Sequence, residues 1–148
     1  MNTAAQSTNE FIEHFDEMPF HRYLGLTLVE ARPGYGKVAL HRTEETPSGI
    51  GGSVHGGVLA AVVDIVMLVA VLADLGEDKQ PAGTADLGIT YLRQAQGDVI
   101  YATARVIKSG RQLASVEIDI NDSEGTLCAK GRTLYAFRAG VVTPPAPP

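Results

Sequence analysis

The sequence predicts a single α+β domain in which one long helix is wrapped by an antiparallel β-sheet. Three observations lead there. Over residues 58–73 every side chain is apolar except that of Asp64, and a helix that is apolar all round must be buried. Four later segments alternate apolar and polar residues, the period of strands with one covered face. Only one other short helix is available, so what buries the long helix must be sheet.

In chain order, a short helix is expected over residues 10–17, then strands over 24–31 and 36–42. A Gly-rich loop over 48–53 leads into the long helix, expected over 56–75. Strands follow over 84–92, 99–108, 111–121 and 126–137. The alternation is clearest where Val116, Ile118 and Ile120 interleave with Ser115, Glu117 and Asp119. Turn signals separate these strands: Gln96-Gly97-Asp98, Ser109-Gly110 and Asp122-Ser123-Glu124-Gly125. No internal repeat is present. The domain division is residues 1–23 as an N-terminal segment with a short helix, 24–138 as the folded domain, and 139–148 as a disordered tail. Four prolines in those last ten residues bar the tail from sheet or helix. A single sheet covers one side of the long helix, so its other flank calls for a second copy of the chain. A homodimer is expected, with a homotetramer as its extension.

A chain of 148 residues can bury a real core, and 45 % apolar residues exclude a disordered protein. Cys128 is the only cysteine, which excludes an internal disulfide and a cysteine-rich metal site. It is expected as a buried residue of a strand. The other histidines, His14, His21 and His41, lack metal-ligand spacing and are expected at the surface or in caps. The first residues lack the basic-then-apolar pattern of a secretory signal, so a cytoplasmic location is the expectation. Net charge is −5 without a run of like charges, which argues against nucleic acid as a partner. The apolar run falls short of the roughly 20 residues that span a bilayer and carries a carboxylate, so no membrane span is expected.

Two features can carry chemistry. Ser53-Val54-His55-Gly56-Gly57 opens the long helix. The first amides of a helix lack intrahelical partners and sit at its positive end, so they suit a carbonyl oxygen going to a tetrahedral oxyanion. A tight turn without a ligand is the other use of such glycines. The second feature is Asp64, because a carboxylate in an apolar helix is costly unless it has a partner or a task. Gly57 and Asp64 lie seven residues apart, two turns on one helix face and about 10 Å along the axis. Both cannot reach one carbonyl within a single chain, but two copies about a two-fold axis can bring Gly57 of one opposite Asp64 of the other.

The stretch Val54-His55-Gly56-Gly57-Val58-Leu59-Ala60-Ala61-Val62-Val63-Asp64 resembles the signature of hot-dog-fold acyl-CoA thioesterases of the PaaI-like type. Residues 83–93, running from Gly83 through Thr84 to Arg93, resemble the family's strand after the helix. Gly110-Arg111-Gln112-Leu113-Ala114 resembles its hairpin, and the resemblance spans about residues 24–137. It implies hydrolysis of an acyl-CoA, with Asp64 as general base or nucleophile and the Gly57 amide polarising the carbonyl. His55 would shape the turn, and Thr84 would stand near the attacking water. Gly56, Val58, Ala61 and Ser48 would meet the acyl group, with Met67 beside them. Lys108, Gly110, Arg111 and Arg93 would meet coenzyme A phosphates; as plain chemistry, Lys108-Ser109-Gly110-Arg111 is also an ordinary solvated turn. No cofactor is implied, coenzyme A being part of the substrate, and no metal. One departure from the resemblance stands out: relatives usually carry an Asn six residues before the His, where this chain has Gly49, and Ser48 or Ser53 of the loop would take its place. A non-catalytic acyl-CoA or effector-binding protein is the alternative reading, and a hot-dog dehydratase lacks its Asp/His pattern here.

Overall fold

A computed structural model describes residues 10–139 and 147. The N-terminal segment over residues 1–9 and most of the Pro-rich tail, expected to be disordered, lie outside the described residues. The chain orders as a short helix α1 (Pro19–Leu24), strands β1 (Leu26–Arg32) and β2 (Tyr35–His41), and the long helix α2 (Gly56–Leu72). Strands β3 (Lys79–Tyr91), β4 (Val99–Ser109), β5 (Leu113–Asn121) and β6 (Leu127–Ala139) complete it. The six strands form one antiparallel sheet in the order β1-β2-β4-β5-β6-β3, which leaves β1 and β3 at its edges. The predicted α+β architecture is the one observed.

The sheet folds around α2. Ala114, Val116, Ile118 and Ile120 of β5 and Ile100, Ala102 and Ala104 of β4 are all buried in the core that also holds α2. Eleven of the helix's seventeen residues are buried, at roughly 1.5–3 kcal/mol for each large apolar side chain. Two glycines set the closeness of the packing. A Cβ on Gly131 would stand 2.8 Å from Val63 Cγ1, and one on Gly36 would stand 2.9 Å from Val69 Cβ. One protomer thus buries more of the helix than a single covered side. What stays partly open is a narrow stripe of Gly57, Ala60, Ala61, Asp64 and Leu68.

Several boundaries move. The expected helix over 10–17 divides into helical residues 10–13 and a 3-10 turn at Phe15–Glu17, and α1 follows it unforeseen. Strand β1 starts at Leu26 because Gly25 adopts a left-handed conformation (φ 74°) that ends α1. Helix α2 stops at Leu72, three residues short of the expected 75. Strand β3 starts at Lys79 instead of residue 84 and includes Pro81, which an edge strand tolerates next to a β-bulge. Ala139, assigned to the tail, closes β6. His21 is not at the surface: it is 3 % exposed, its Nδ1 lies 2.8 Å from the Phe15 carbonyl, and its ring packs on Phe11 and Phe15. Burial lowers its pKa from the ordinary 6.5, against the opposing pull of that carbonyl and of Asp16. Cys128 is fully buried in β6, and burial raises its thiol pKa. Among the described residues no helix is long and apolar enough to cross a membrane.

Candidate active site

Asp64 sits on the open stripe of α2, half-buried, and one strand reaches it. The Thr84 hydroxyl donates to Asp64 Oδ1 at 2.6 Å. Thr84 is delivered there by an irregular backbone, since the β3–β6 register shifts between Pro81 and Gly83 and again between Thr84 and Asp86. Bulges of this kind re-aim side chains at a sheet edge. The contact of Thr84 with Asp64 lies within one protomer.

At the start of α2, His55 is the N-cap residue, and its Nδ1 accepts the Gly57 N–H at 2.9 Å. Accepting at Nδ1 places the proton of the neutral ring on Nε2. His55 thereby caps the first turn of α2. The Gly57 amide, expected to face a carbonyl oxygen, is held by that imidazole here. Tyr91, at the end of β3, donates its hydroxyl to the Gly56 carbonyl at 2.6 Å and stacks where a Gly56 side chain would stand.

A cavity of about 530 Å³ opens beside this turn, walled by Gly49, Ile50, His55, Gly56, Tyr91 and Leu92 among others. Neither Asp64 nor Thr84 of the same chain is in that wall. The loop on its rim is tied by Arg42, which donates to the Gly52 carbonyl at 2.6 Å, and by Gln96, which donates to the Gly51 carbonyl at 3.1 Å. Ser53 lines the cavity but spends its hydroxyl proton on the Ile50 carbonyl at 2.7 Å. Ser48 pairs with Val54 and is outside the wall. Gly49 has an ordinary extended backbone, φ −100°.

Other expected contacts separate. Val58 and Met67, 8 % and 1 % exposed, are committed to the core and are not free to line a pocket, whereas Ala61 stays partly open. Arg93 lies in the cavity wall at the start of α2. Lys108, Gly110 and Arg111 lie at the β4–β5 turn, at the opposite end of the sheet. The register shows this: Leu113 is level with Ala136, and Ile120 with Ala129 beside Tyr91. Seven residues of strand separate those rows by about 23 Å. Within one protomer the four basic-patch residues do not form one phosphate site. Arg111 instead borders a second cavity, of about 580 Å³, together with Lys79 and Phe137.

Tyr91, Arg42 and Tyr135 are site residues that sequence reasoning missed. Tyr91 was legible as the last inward residue of β3; Arg42 carries no sequence signal. Tyr135 pairs directly with Thr84 across β3 and β6. Burial raises its hydroxyl pKa, the Asp64 charge adds to that, and a backbone hydrogen bond from Gly83 opposes it.

A buried helix opening on His-Gly-Gly and wrapped by a six-stranded antiparallel sheet defines a hot-dog fold. The family model of the thioesterase superfamily matches residues 51–129. The human acyl-coenzyme A thioesterase 13 is 37 % identical over 136 residues, covering 89 % of this chain and 95 % of the human one. The Escherichia coli (strain K12) medium/long-chain acyl-CoA thioesterase YigI is 28 % identical over 138 residues, covering 84 % and 87 %. In structure, the E. coli PaaI protein from the phenylacetic acid degradation operon superposes with a TM-score of 0.75 at 22 % identity, covering 92 % of this chain and 99 % of that one. This chain belongs to the thioesterase superfamily and has its hot-dog fold.

Proposed function

We propose that this protein hydrolyses acyl-CoA thioesters to the free acid and coenzyme A. The observation that carries the reading is the Thr84–Asp64 hydrogen bond, which holds one carboxylate oxygen and leaves the other for water. Asp64 either takes a proton from water as its oxygen adds to the carbonyl carbon, or adds to that carbon itself and is released by water. In both routes the carbonyl oxygen gains negative charge and then reforms the carbonyl as the carbon–sulfur bond breaks. The sulfur leaves as a thiolate, and the proton that the attacking water gives up, to Asp64 in the first route and on cleaving the anhydride in the second, balances it as the free thiol. A Gly57 amide stabilises the oxyanion, for which the thioester carbonyl replaces the His55 imidazole; such donors contribute about 2.7–4 kcal/mol.

That amide belongs to a second protomer in this reading. The cavity at the helix start excludes the same chain's Asp64, and the two groups are about two turns apart. The open stripe of α2 is small-sided at Ala60 and Ala61, which permits close approach of a second helix, and the adjacent β3 is an edge strand. Apolar walls at Ile50, Leu59 and Leu92 suit an aliphatic or aryl acyl group. The relatives named as acyl-CoA thioesterases, one of them for medium and long chains, support this substrate class.

The second reading, binding without turnover, is favoured by the occupied Gly57 amide and by Gly49 at the place where the family resemblance implies an Asn. Thiol release from short-, medium- and long-chain and aryl acyl-CoAs separates the two. Turnover by the wild type that is lost in Asp64→Asn supports hydrolysis. Tight binding of the same esters without wild-type turnover supports a binding protein.

A further inference from the structure

We propose that Tyr91 is a positioning residue for the oxyanion donor: its hydroxyl, held on the Gly56 carbonyl, aims and strengthens the N–H of Gly57. The inference rests on the hydrolase reading and deepens it. The Gly56 carbonyl and the Gly57 N–H are the two ends of one planar peptide group, which moves as a unit. Tyr91 donates to the carbonyl end at 2.6 Å, and His55 Nδ1 accepts from the N–H end at 2.9 Å. One peptide plane is thus gripped at both ends. When a thioester carbonyl takes the place of the imidazole, the grip of Tyr91 is the one that remains.

The local sequence is built for this contact. Gly56 is not among the glycines with positive φ, so its backbone does not call for glycine. The Tyr91 ring does: a Cβ on Gly56 would stand 3.1 Å from Tyr91 Cζ and 3.2 Å from its hydroxyl oxygen. Tyr91 is the last residue of β3, where the ladder to β6 runs without a shift from Asp86 onward and pairs Tyr91 with Ala129. The next N–H, that of Leu92, donates to the Cys128 carbonyl at 2.8 Å. The sheet therefore sets where the ring lies. A hydrogen bond accepted by the carbonyl polarises the peptide and makes its N–H the stronger donor, by about 10–30 % for each coupled bond. Tyr91 also borders the cavity beside His55, but its hydroxyl is spent on the backbone, so it acts on the oxyanion and not on substrate affinity.

The test is hydrolysis of decanoyl-CoA by wild type and Tyr91→Phe, with Asp64→Asn alongside, and the backbone amide spectrum of wild type and Tyr91→Phe without substrate. Losing a whole oxyanion donor costs about 10²–10³-fold in kcat. A change of 10–30 % in that logarithm is about two- to eightfold. Tyr91 is half exposed, so water takes up part of the loss and a fall of roughly threefold in kcat is expected. KM should stay within about 1.5-fold, because the ring and the cavity wall are kept. The Gly57 amide nitrogen should shift upfield, as its own peptide carbonyl gives up a hydrogen bond. Unchanged kcat, a loss that falls on KM alone, or an unmoved Gly57 resonance would each overturn the proposal. Full activity in Asp64→Asn would instead overturn the hydrolase reading, while the Gly57 resonance still reports on the Tyr91 contact, so the two failures are distinguishable.

Discussion

Replacing Thr84 by Val keeps the β-branched shape of the side chain and removes only its hydroxyl. The bond lost is short, 2.6 Å, and its acceptor is a carboxylate. Hydrogen bonds to charged groups contribute about 1.5–3 kcal/mol. Thr84 is exposed and Asp64 half-buried, so water takes up part of the loss and the lower end applies. About 1.5 kcal/mol corresponds to roughly a tenfold fall in kcat, at 1.36 kcal/mol for each factor of ten. KM should stay within about twofold, because the hydroxyl holds the carboxylate and not the substrate. Steady-state thiol release gives both constants, and thermal unfolding checks that the variant remains folded. Unchanged kcat in a folded Thr84→Val protein would refute the argument that this contact orders the catalytic carboxylate.

Three further outcomes follow from the packing and the charges. Gly131→Ala forces a methyl to 2.8–2.9 Å from Val63 and 3.2 Å from Ile118; overpacking of this kind costs about 1–3 kcal/mol, so Tm should fall by several degrees in thermal unfolding. His21 has a lowered pKa when folded, so the unfolded chain binds the proton more readily. Its contribution is present above the ordinary pKa of 6.5 and is lost as pH falls below it. Tm should therefore drop between pH 7 and pH 5 more in wild type than in His21→Gln, and equal drops would contradict the assignment. Gly49→Asn suits the backbone, φ −100°, but its Cβ would stand 3.3 Å from Ser53 Oγ and 3.4 Å from His55 Cα, so the loop must give by a few tenths of an ångström; once folded it should raise kcat by placing a polar side chain beside His55.

The long helix and the later strands were legible because their patterns are set by burial. Asp64 broke an otherwise apolar run, and Ile118 and its neighbours alternated with polar residues. Thr84 was legible through its position in a recognisable strand. The start of β3 was not, because Pro81 and Gly83 read as a loop, and only the free edge of the sheet lets them stay in a strand. Helix α1 was missed although Pro19 and Gly25 mark its two ends, a signal that a helix of only six residues made faint. Tyr135 and Arg42 were invisible for a different reason. Their roles depend on which strand lies opposite and which loop folds back, and a local pattern contains neither.

Subunit mixing tests directly whether Asp64 of one protomer works with the Gly57 amide of another. Asp64→Asn removes the carboxylate, and Gly57→Pro removes the N–H at a first-turn position where proline fits a helix. Each variant alone should be inactive toward acyl-CoA. A mixed dimer contains one site with both native groups and one with neither, so mixing should restore about half of the wild-type activity per mixed dimer. A mixture that forms mixed dimers yet stays as inactive as its parents would contradict the shared site.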